Sequence, residues 1–171
     1  MAKKVEAKSP EASDQEWMAQ ALELARAAEL AGEVPVGAIV VSPEGVVLGR
    51  GYNRTILDVD PSAHAEIVAL REAAWKTGNH RLAGCTVIAT LEPCAMCAGA
   101  LVQARVARLV YGADDPKAGA IRSVLGLAAH PRLNHSFAVA AGVRGEECGA
   151  LLRAFFERRR ADAAAEQSPI K

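Results

Sequence analysis

Residues 86–97 read Thr-Val-Ile-Ala-Thr-Leu-Glu-Pro-Cys-Ala-Met-Cys, and within this stretch the chain passes from a strand to a helix. The apolar run over Thr86–Thr90 predicts a buried strand, and Leu91-Glu92-Pro93 predicts a turn. A helix is then expected from about Cys94 to Gln103. Because a strand followed by a helix is the repeating unit of α/β proteins, this stretch indicates an α/β fold.

The rest of the chain continues this alternation. Ser13-Asp14-Gln15-Glu16 is a capping-box pattern, which predicts a first helix that ends near Gly32. The β-rich runs Val36–Val41 and Val46–Tyr52 flank a turn and predict a hairpin. The remaining predicted elements are a loop over Asn53–Ala63, a helix from about His64 to Lys76 capped by Ser62 and stopped by Gly78, a strand over Leu109–Tyr111, a loop over Gly112–Ala120, a strand over Phe137–Ala140 and a helix over Glu146–Arg160.

The order of these elements favours an α/β sandwich in which helices cover both faces of one mixed sheet of about five strands. The order of the strands within the sheet does not follow from the pattern. We expect one domain over residues 13–160, because a chain of 171 residues is about one domain long. The polar residues 1–12 predict a disordered lead, and residues 161–171 predict a disordered tail.

Composition excludes several classes of protein. Lys+Arg and Asp+Glu number 20 each, so the formal net charge is zero and any nucleic-acid binding requires a local basic patch. Four cysteines are too few for a disulfide scaffold. The N-terminus lacks the apolar core of a signal peptide, and no stretch approaches the ~20 apolar residues of a membrane span. We therefore expect a cytoplasmic protein with no membrane partner.

Two short motifs lie at two predicted helix starts: His64-Ala65-Glu66 opens one helix, and Cys94-Ala95-Met96-Cys97 opens the next. The positive end of a helix dipole favours thiolates there. One imidazole and two thiolates are three of the four ligands of a tetrahedral Zn²⁺, and an open fourth position is typical of a catalytic site. The motifs therefore predict a catalytic Zn²⁺ held by His64, Cys94 and Cys97, with water in the fourth place.

Glu66 indicates what such a site does. It lies two residues from His64, close enough to reach the water without being forced to bind the metal. A carboxylate there can move a proton from water to a substrate ring nitrogen and then to a leaving amine. The combined pattern H-x-E and P-C-x-x-C is that of zinc deaminases. A closed structural site would need a fourth ligand. Cys85 and Cys148 are expected to be small buried hydrophobes, which leaves His80, His130 and His135 as the formal candidates.

With these motifs the chain resembles the bacterial tRNA-specific adenosine deaminases, within the cytidine deaminase-like superfamily. The resemblance runs from about Trp17 to Arg160. It implies a three-layer α/β/α fold, a homodimer, and deamination of adenosine to inosine at the wobble position of a tRNA, specifically an arginine tRNA. The residues that carry it are Glu33–Ala38, Asn53, Pro61–Glu66, Thr90–Ala100, Gly112–Ala120, Asn134-His135, Phe155-Phe156 and Arg158–Arg160.

The resemblance also implies roles for residues that would contact the anticodon loop. Asn53 is expected to help hold the flipped base, and Asp115 to contact the neighbouring nucleotide. Adjacent helical residues point about 100° apart, so only one of Phe155 and Phe156 can face the core, and the other lies at a rim or against the substrate. The full substrate-binding set that we predict is Asn53, Ala65, Leu91, Asp115, Lys117, Phe156 and Arg159.

Two other functions remain open from the sequence. The same zinc site could deaminate a free base or nucleoside such as guanine or cytidine, which would need no basic patch. A non-catalytic zinc-stapled binding module would need a closed site and would not need Glu66.

Overall fold

The computed structural model describes the backbone of residues 10–166 and the side chains of residues 13–166. None of the helices in this part of the chain is long and apolar enough to cross a membrane. The elements alternate as the sequence predicts. They are α1 (Pro10–Leu30), β1 (Gly37–Val41), β2 (Val47–Tyr52), α2 (Ala65–Thr77), β3 (Thr86–Leu91), α3 (Ala95–Gln103), β4 (Arg108–Ala113), a 3₁₀ turn (Leu127–Ala129), β5 (Ala138–Ala141) and α4 (Gly145–Glu166).

The five strands form one mixed sheet in the order β2-β1-β3-β4-β5. Strand β1 pairs antiparallel with both β2 and β3, whereas β3, β4 and β5 run parallel to one another. This confirms the predicted mixed sheet and supplies the strand order. Because parallel strands end at the same edge, the segments that follow β3 and β4 meet in one crevice at the carboxyl edge of the sheet.

Two apolar clusters, one on each face of the sheet, make the fold a three-layer α/β/α sandwich. Successive residues of β1 alternate between them, since Val40 lies in the cluster with α2 and α3, and Ile39 in the cluster with α1 and α4. This alternation is the two-residue period of a strand that is buried on both faces. The fold class is therefore as predicted.

Two glycines of β2 allow α2 to lie directly on the sheet. A Cβ at Gly51 would lie 2.2 Å from the carbonyl oxygen of Ala65, and one at Gly49 would lie 2.1 Å from that of Ala69. Neither distance is compatible with a side chain. The glycines therefore fix how closely the first turns of α2, which carry the His-x-Glu motif, approach the strand.

Both ends of the domain differ from the sequence prediction. Helix α1 begins at Pro10, before the predicted cap Ser13, because proline is tolerated in a first turn where its missing N–H has no helical partner. Helix α4 continues past Arg160 to Glu166, because alanine and glutamate are strong helix formers. Residues 10–12 and 161–166 are thus helical rather than disordered. The predictions for residues 1–9 and 167–171 lie outside the described residues.

The cap of α2 also differs from the prediction. Ser62 does not cap this helix, because its hydroxyl donates to Asp60 Oδ1 at 2.7 Å. The cap comes instead from Asn53, whose Oδ1 accepts a hydrogen bond from the Ala65 N–H at 2.9 Å. The predicted stop is confirmed, since Gly78 ends the helix in the left-handed conformation with φ 64°.

Candidate metal centre and active site

Two helix starts bring the predicted metal ligands together. His64 is the N-cap residue of α2, and Cys94 is the N-cap residue of α3, both with extended backbone. Cys97 lies in the first turn of α3. Neither N-cap side chain caps its own helix, and both face the crevice between the two helix starts, where the His64 ring lies against the two sulfurs.

The distances in this group fit a tetrahedral zinc ion. Nδ1 of His64 lies 3.6 Å from Sγ of Cys94 and 3.6 Å from Sγ of Cys97. A nitrogen at about 2.05 Å and a sulfur at about 2.3 Å from Zn²⁺, subtending a tetrahedral angle, also lie about 3.6 Å apart. Among the described residues, no further His, Cys, Asp or Glu joins this group of three. The donor set and its spacing therefore suit Zn²⁺ with an open coordination position.

The candidates for a fourth protein ligand lie elsewhere. Cys85 and Cys148 are buried in the two apolar clusters, on opposite faces of the sheet. The ring of His135 bonds to the Val106 carbonyl oxygen at 2.7 Å. His80 and His130 are likewise outside the three-residue group. The part of the chain that the structure describes thus offers no closed structural site.

Hydrogen bonds within the group favour the thiolate that a metal requires. The pKa of the Cys94 thiol is lowered to about 3, because the Cys97 and His64 side chains hydrogen-bond to its sulfur. The same contact with Cys94 raises the pKa of His64. The contact with Cys94, together with burial, raises the pKa of the Cys97 thiol, so Cys94 is the cysteine of this pair whose metal-binding thiolate is favoured before a metal binds.

Glu66 lies beside this group without belonging to it. It is in the first turn of α2, and its side chain is almost fully buried. Burial is the main cause that raises its pKa above the ordinary glutamate value. A carboxyl group whose pKa is moved towards neutrality is suited to both accepting and donating a proton.

Three of the predicted substrate-binding residues lie around the same crevice. The side-chain oxygen of Asn53 is used by the Ala65 N–H, while the described residues offer no partner to its Nδ2 group. Ala65 is fully buried, and its N–H is committed to Asn53 rather than free. Leu91 is half-buried at the end of β3, just before the segment that leads to Cys94.

Glu92 is a functional candidate that the sequence interpretation placed only in a turn. Its side chain is 1% exposed and accepts hydrogen bonds from the N–H groups of Asp115 (3.0 Å), Arg122 (2.8 Å) and Ser123 (2.9 Å). The Ser123 hydroxyl also donates to it. The sequence signal was a carboxylate placed between a buried strand and a metal ligand, where burial without several donors would be costly.

The loop over residues 114–123 carries two further predicted contacts. Asp115 Oδ1 accepts from the N–H groups of Lys117 and Ala118, so this carboxylate first of all caps a turn. Lys117 is exposed at the surface of the loop. Arg122 is committed to Asp114 through an ion pair of 2.8 Å, which reduces its availability to a phosphate.

A second buried glutamate holds the loop that follows Asn53. Glu33 is 1% exposed, and its Oε1 accepts from the N–H groups of Ile56 and Leu57 at 2.8 Å each. Its Oε2 accepts from the Thr55 hydroxyl at 3.1 Å. The two loops that flank the crevice are thus each fastened to one buried carboxylate.

The terminal helix places its two phenylalanines as predicted. Phe155 is buried, whereas Phe156 is 44% exposed. The Arg159 guanidinium lies 5.9 Å from the centre of the Phe155 ring. Arg158 is paired with Glu29 of α1, so this arginine is less available to RNA than an unpaired one would be.

Comparisons with known proteins agree with this site. The family profile "Cytidine and deoxycytidylate deaminase zinc-binding region" matches residues 11–113. The chain is 46% identical to the tRNA-specific adenosine deaminase of Haemophilus influenzae over 158 residues, covering 92% of this chain and 91% of that one.

Solved structures give the same picture. A structure from a study of A-to-I editing by tRNA:A34 deaminases at the wobble position of transfer RNA superposes with a TM-score of 0.78 at 42% identity, covering 80% of this chain and 99% of that one. A guanine deaminase from Nitrosomonas europaea superposes with a TM-score of 0.71 at 30% identity, covering 87% and 85%.

Proposed function

Because the chain belongs to the tRNA-specific adenosine deaminases, within the zinc-binding cytidine and deoxycytidylate deaminases, we propose that it converts the wobble adenosine of a tRNA to inosine. The observation that carries this proposal is the open three-ligand group of His64, Cys94 and Cys97 with the buried Glu66 beside it. That arrangement suits hydrolysis of a C–N bond, in which water replaces the amino group and ammonia leaves.

The side chains divide the work. His64 Nδ1 and the two thiolates would hold Zn²⁺, which supplies a Lewis acid that activates water for attack on C6 of the adenine. Glu66 would accept a proton from the attacking water and donate it to N1 of the ring. It would then take the second proton of that water from the new C6 hydroxyl and deliver it to the departing amino group, so that adenosine and water give inosine and ammonia. The raised pKa of Glu66 supports its use in both directions.

The target base must leave its stack to reach Glu66, and an anticodon loop presents bases that are already partly unstacked. We infer that Asn53 Nδ2 contacts the flipped base, with Ala65 and Leu91 forming part of the wall around it. Asp115, Lys117, Phe156 and Arg159 would contact the flanking nucleotides. We also propose that the substrate is an arginine tRNA and that the protein acts as a homodimer.

Deamination of a free base is the second candidate, because the guanine deaminase has the same fold at 30% identity. Two features favour tRNA. Phe156 is exposed on α4 beside the basic residues of that helix, and Lys117 is exposed on the loop that Glu92 fastens. Neither a stacking surface nor a cation for phosphates is needed by an enzyme that takes a free base.

Both functions can be tested side by side. The zinc-loaded protein is offered adenosine, adenine, cytidine, guanine and an anticodon stem-loop with a wobble adenosine, and ammonia release and base composition are followed. We expect inosine in the stem-loop and negligible conversion of the free compounds. Deamination of a free base with the stem-loop untouched would overturn the proposal. Sequencing the tRNA pool of a strain depleted of the protein would then identify the isoacceptor, through lost A-to-G conversions.

A further inference from the structure

The Glu92 carboxylate is the buried centre of the loop over residues 114–123. Both of its oxygens are used, since Oε1 accepts from the N–H groups of Arg122 and Ser123, and Oε2 accepts from the Asp115 N–H and the Ser123 hydroxyl. The donors come from both ends of the loop. One side chain therefore fixes the distance between the start and the end of the loop.

The same loop is fastened to the metal-binding segment by its backbone. Gly119 pairs with Cys94 in a β-bridge, and the Ala120 N–H donates to the Pro93 carbonyl oxygen at 2.8 Å. The packing is close, because a Cβ at Gly119 would lie 2.2 Å from Glu92 Oε2. The loop is thus held against residues 92–94 through both its backbone and the Glu92 side chain.

The hydrogen bonds that hold the loop also fix the position of Asp115. Its N–H is bonded to Glu92, and its Oδ1 is bonded to the N–H groups of Lys117 and Ala118. The described residues offer no partner to Oδ2, so that oxygen remains available to a ligand. The direction in which Oδ2 points depends on the turn over residues 115–118, and Glu92 holds the N–H of the first residue of that turn.

On the basis of the function proposed above, we propose that Glu92 is a positioning residue that determines which nucleotides are accepted beside the target adenosine. It acts through the loop that carries Asp115 and Lys117, and it touches neither the base nor the metal ligands' donor atoms. Contacts to flanking nucleotides discriminate only if the groups that make them are held in one arrangement. Glu92 supplies that arrangement.

The substitution Glu92→Gln tests this role without changing the size of the side chain. A carboxylate accepts through both oxygens, whereas an amide accepts through one and donates through the other. Each Glu92 oxygen faces at least one backbone N–H, so either amide orientation sets an NH₂ group against an N–H donor. Glu92→Gln therefore releases one end of the loop while the size of the side chain is unchanged.

Glu33 provides the matched control, since it is equally buried and holds the opposite loop through Thr55, Ile56 and Leu57. Wild type, Glu92→Gln and Glu33→Gln are assayed on a cognate stem-loop and on stem-loops with one changed nucleotide on either side of the adenosine. Amide hydrogen exchange and zinc content are measured on the same samples.

The preference is the ratio of kcat/KM on the cognate stem-loop to kcat/KM on a stem-loop with a changed flanking nucleotide. We expect Glu92→Gln to lower this ratio by about tenfold, as for the loss of one charge-assisted hydrogen bond, mainly because kcat/KM on the cognate stem-loop falls. Exchange should accelerate in residues 115–123, with zinc retained. Glu33→Gln should accelerate exchange in residues 55–57 and leave the flanking preference unchanged. Ser123→Ala, which removes only the hydroxyl donor, should shift the preference in the same direction by less.

An equal fall of kcat/KM on every stem-loop would show that Glu92 only supports the fold, and this would overturn the inference. Unchanged exchange in residues 115–123 would do the same. Wild-type protein that converts no stem-loop would instead overturn the proposed function itself. The two failures are therefore distinguishable.

Discussion

The side-chain oxygen of Asn53 accepts a hydrogen bond of 2.9 Å from the backbone N–H of Ala65, the first residue of α2. The N-cap residue His64 makes no side-chain bond to its own helix, so Asn53 satisfies an N–H that would otherwise lack a partner. It does so from a position twelve residues before the helix. A residue expected to contact the base thus also fastens the helix that carries Glu66.

The two roles of Asn53 can be separated by substitution. Asn53→Asp keeps an acceptor for the Ala65 N–H and places a negative charge at a helix N-terminus, so stability should be retained. It removes the Nδ2 donor, so stem-loop deamination should fall by about tenfold or more. Asn53→Ala should lose activity and also about 1 kcal/mol of stability, a fall in Tm of about 2–4 °C for a chain of this size.

Thermal melting and steady-state kinetics of these two variants check the prediction. An Asp variant with wild-type turnover would remove Nδ2 from the substrate contacts, whereas equal Tm values for wild type and the Ala variant would remove the capping role.

Replacing Glu66 with glutamine should leave the zinc in place and remove the proton carrier. General acid–base catalysis contributes about 10²–10⁴ in rate, and Glu66 is assigned more than one transfer, so the loss should be at the upper end. Turnover on the stem-loop and metal analysis of the same sample measure this. Glu72, an exposed carboxylate on the same helix that accepts from the Arg50 N–H, gives the control variant Glu72→Gln. More than about a tenth of wild-type turnover at full zinc occupancy would contradict the assignment.

Removal of one metal ligand should abolish zinc binding in a way that removal of a core cysteine does not. Cys94→Ala takes away one of three protein ligands, so zinc content and deamination should both be lost. Cys85→Ala removes a buried thiol outside the group and should retain one zinc per chain, at some cost in stability. Metal analysis and circular dichroism of the two variants decide the matter. Retention of zinc by Cys94→Ala would point to a ligand outside the described residues.

The cations that contact RNA should be those without a carboxylate partner. Arg153 is paired with Glu146 at 2.6 Å, and Arg158 is paired with Glu29, whereas no ion pair involves Arg159 or Arg160 within residues 13–166. The slope of log affinity against log salt concentration changes by about 0.7 for each phosphate contact with a single strand. The double variant Arg159→Ala/Arg160→Ala loses two such contacts, so its slope for the stem-loop should be shallower by about 1.4. Arg153→Ala is the control. Equal salt slopes in the double variant and wild type would exclude this end of α4 from the RNA surface.

Much of the fold was predictable because its signals are local. The five strands and four helices follow from apolar periodicity and turn residues, and the His64, Glu66 and Cys94 motifs mark the site directly. The strand order was not predictable, because it depends on which strands pair at long range. The extra turns at both ends were not predictable, because a polar stretch is compatible both with disorder and with an exposed helix end.

The two buried glutamates show what the sequence could not specify about the site, namely the donors that each carboxylate meets. Glu33 and Glu92 lie in short connecting segments, where a charged residue ordinarily faces solvent. Their donors come from residues 22 to 31 positions later in the chain. No local pattern records such a contact. The cap of α2 was misassigned to Ser62 for the same reason, since the true acceptor on Asn53 lies beyond a loop.

The close contact between Gly119 and the Glu92 carboxylate sets a condition for redesign of this protein. Suppose that another loop is grafted between β4 and the 3₁₀ turn so that the protein accepts other flanking nucleotides. Such a loop would need an N–H at each end that donates to Glu92, and a glycine in the middle where Gly119 now lies. Loops chosen by length alone would leave a buried charge uncompensated next to the metal ligands. Positions 116–118 are exposed and supply none of the hydrogen bonds that Glu92 accepts, so diversification there keeps the anchor and varies the surface presented to RNA.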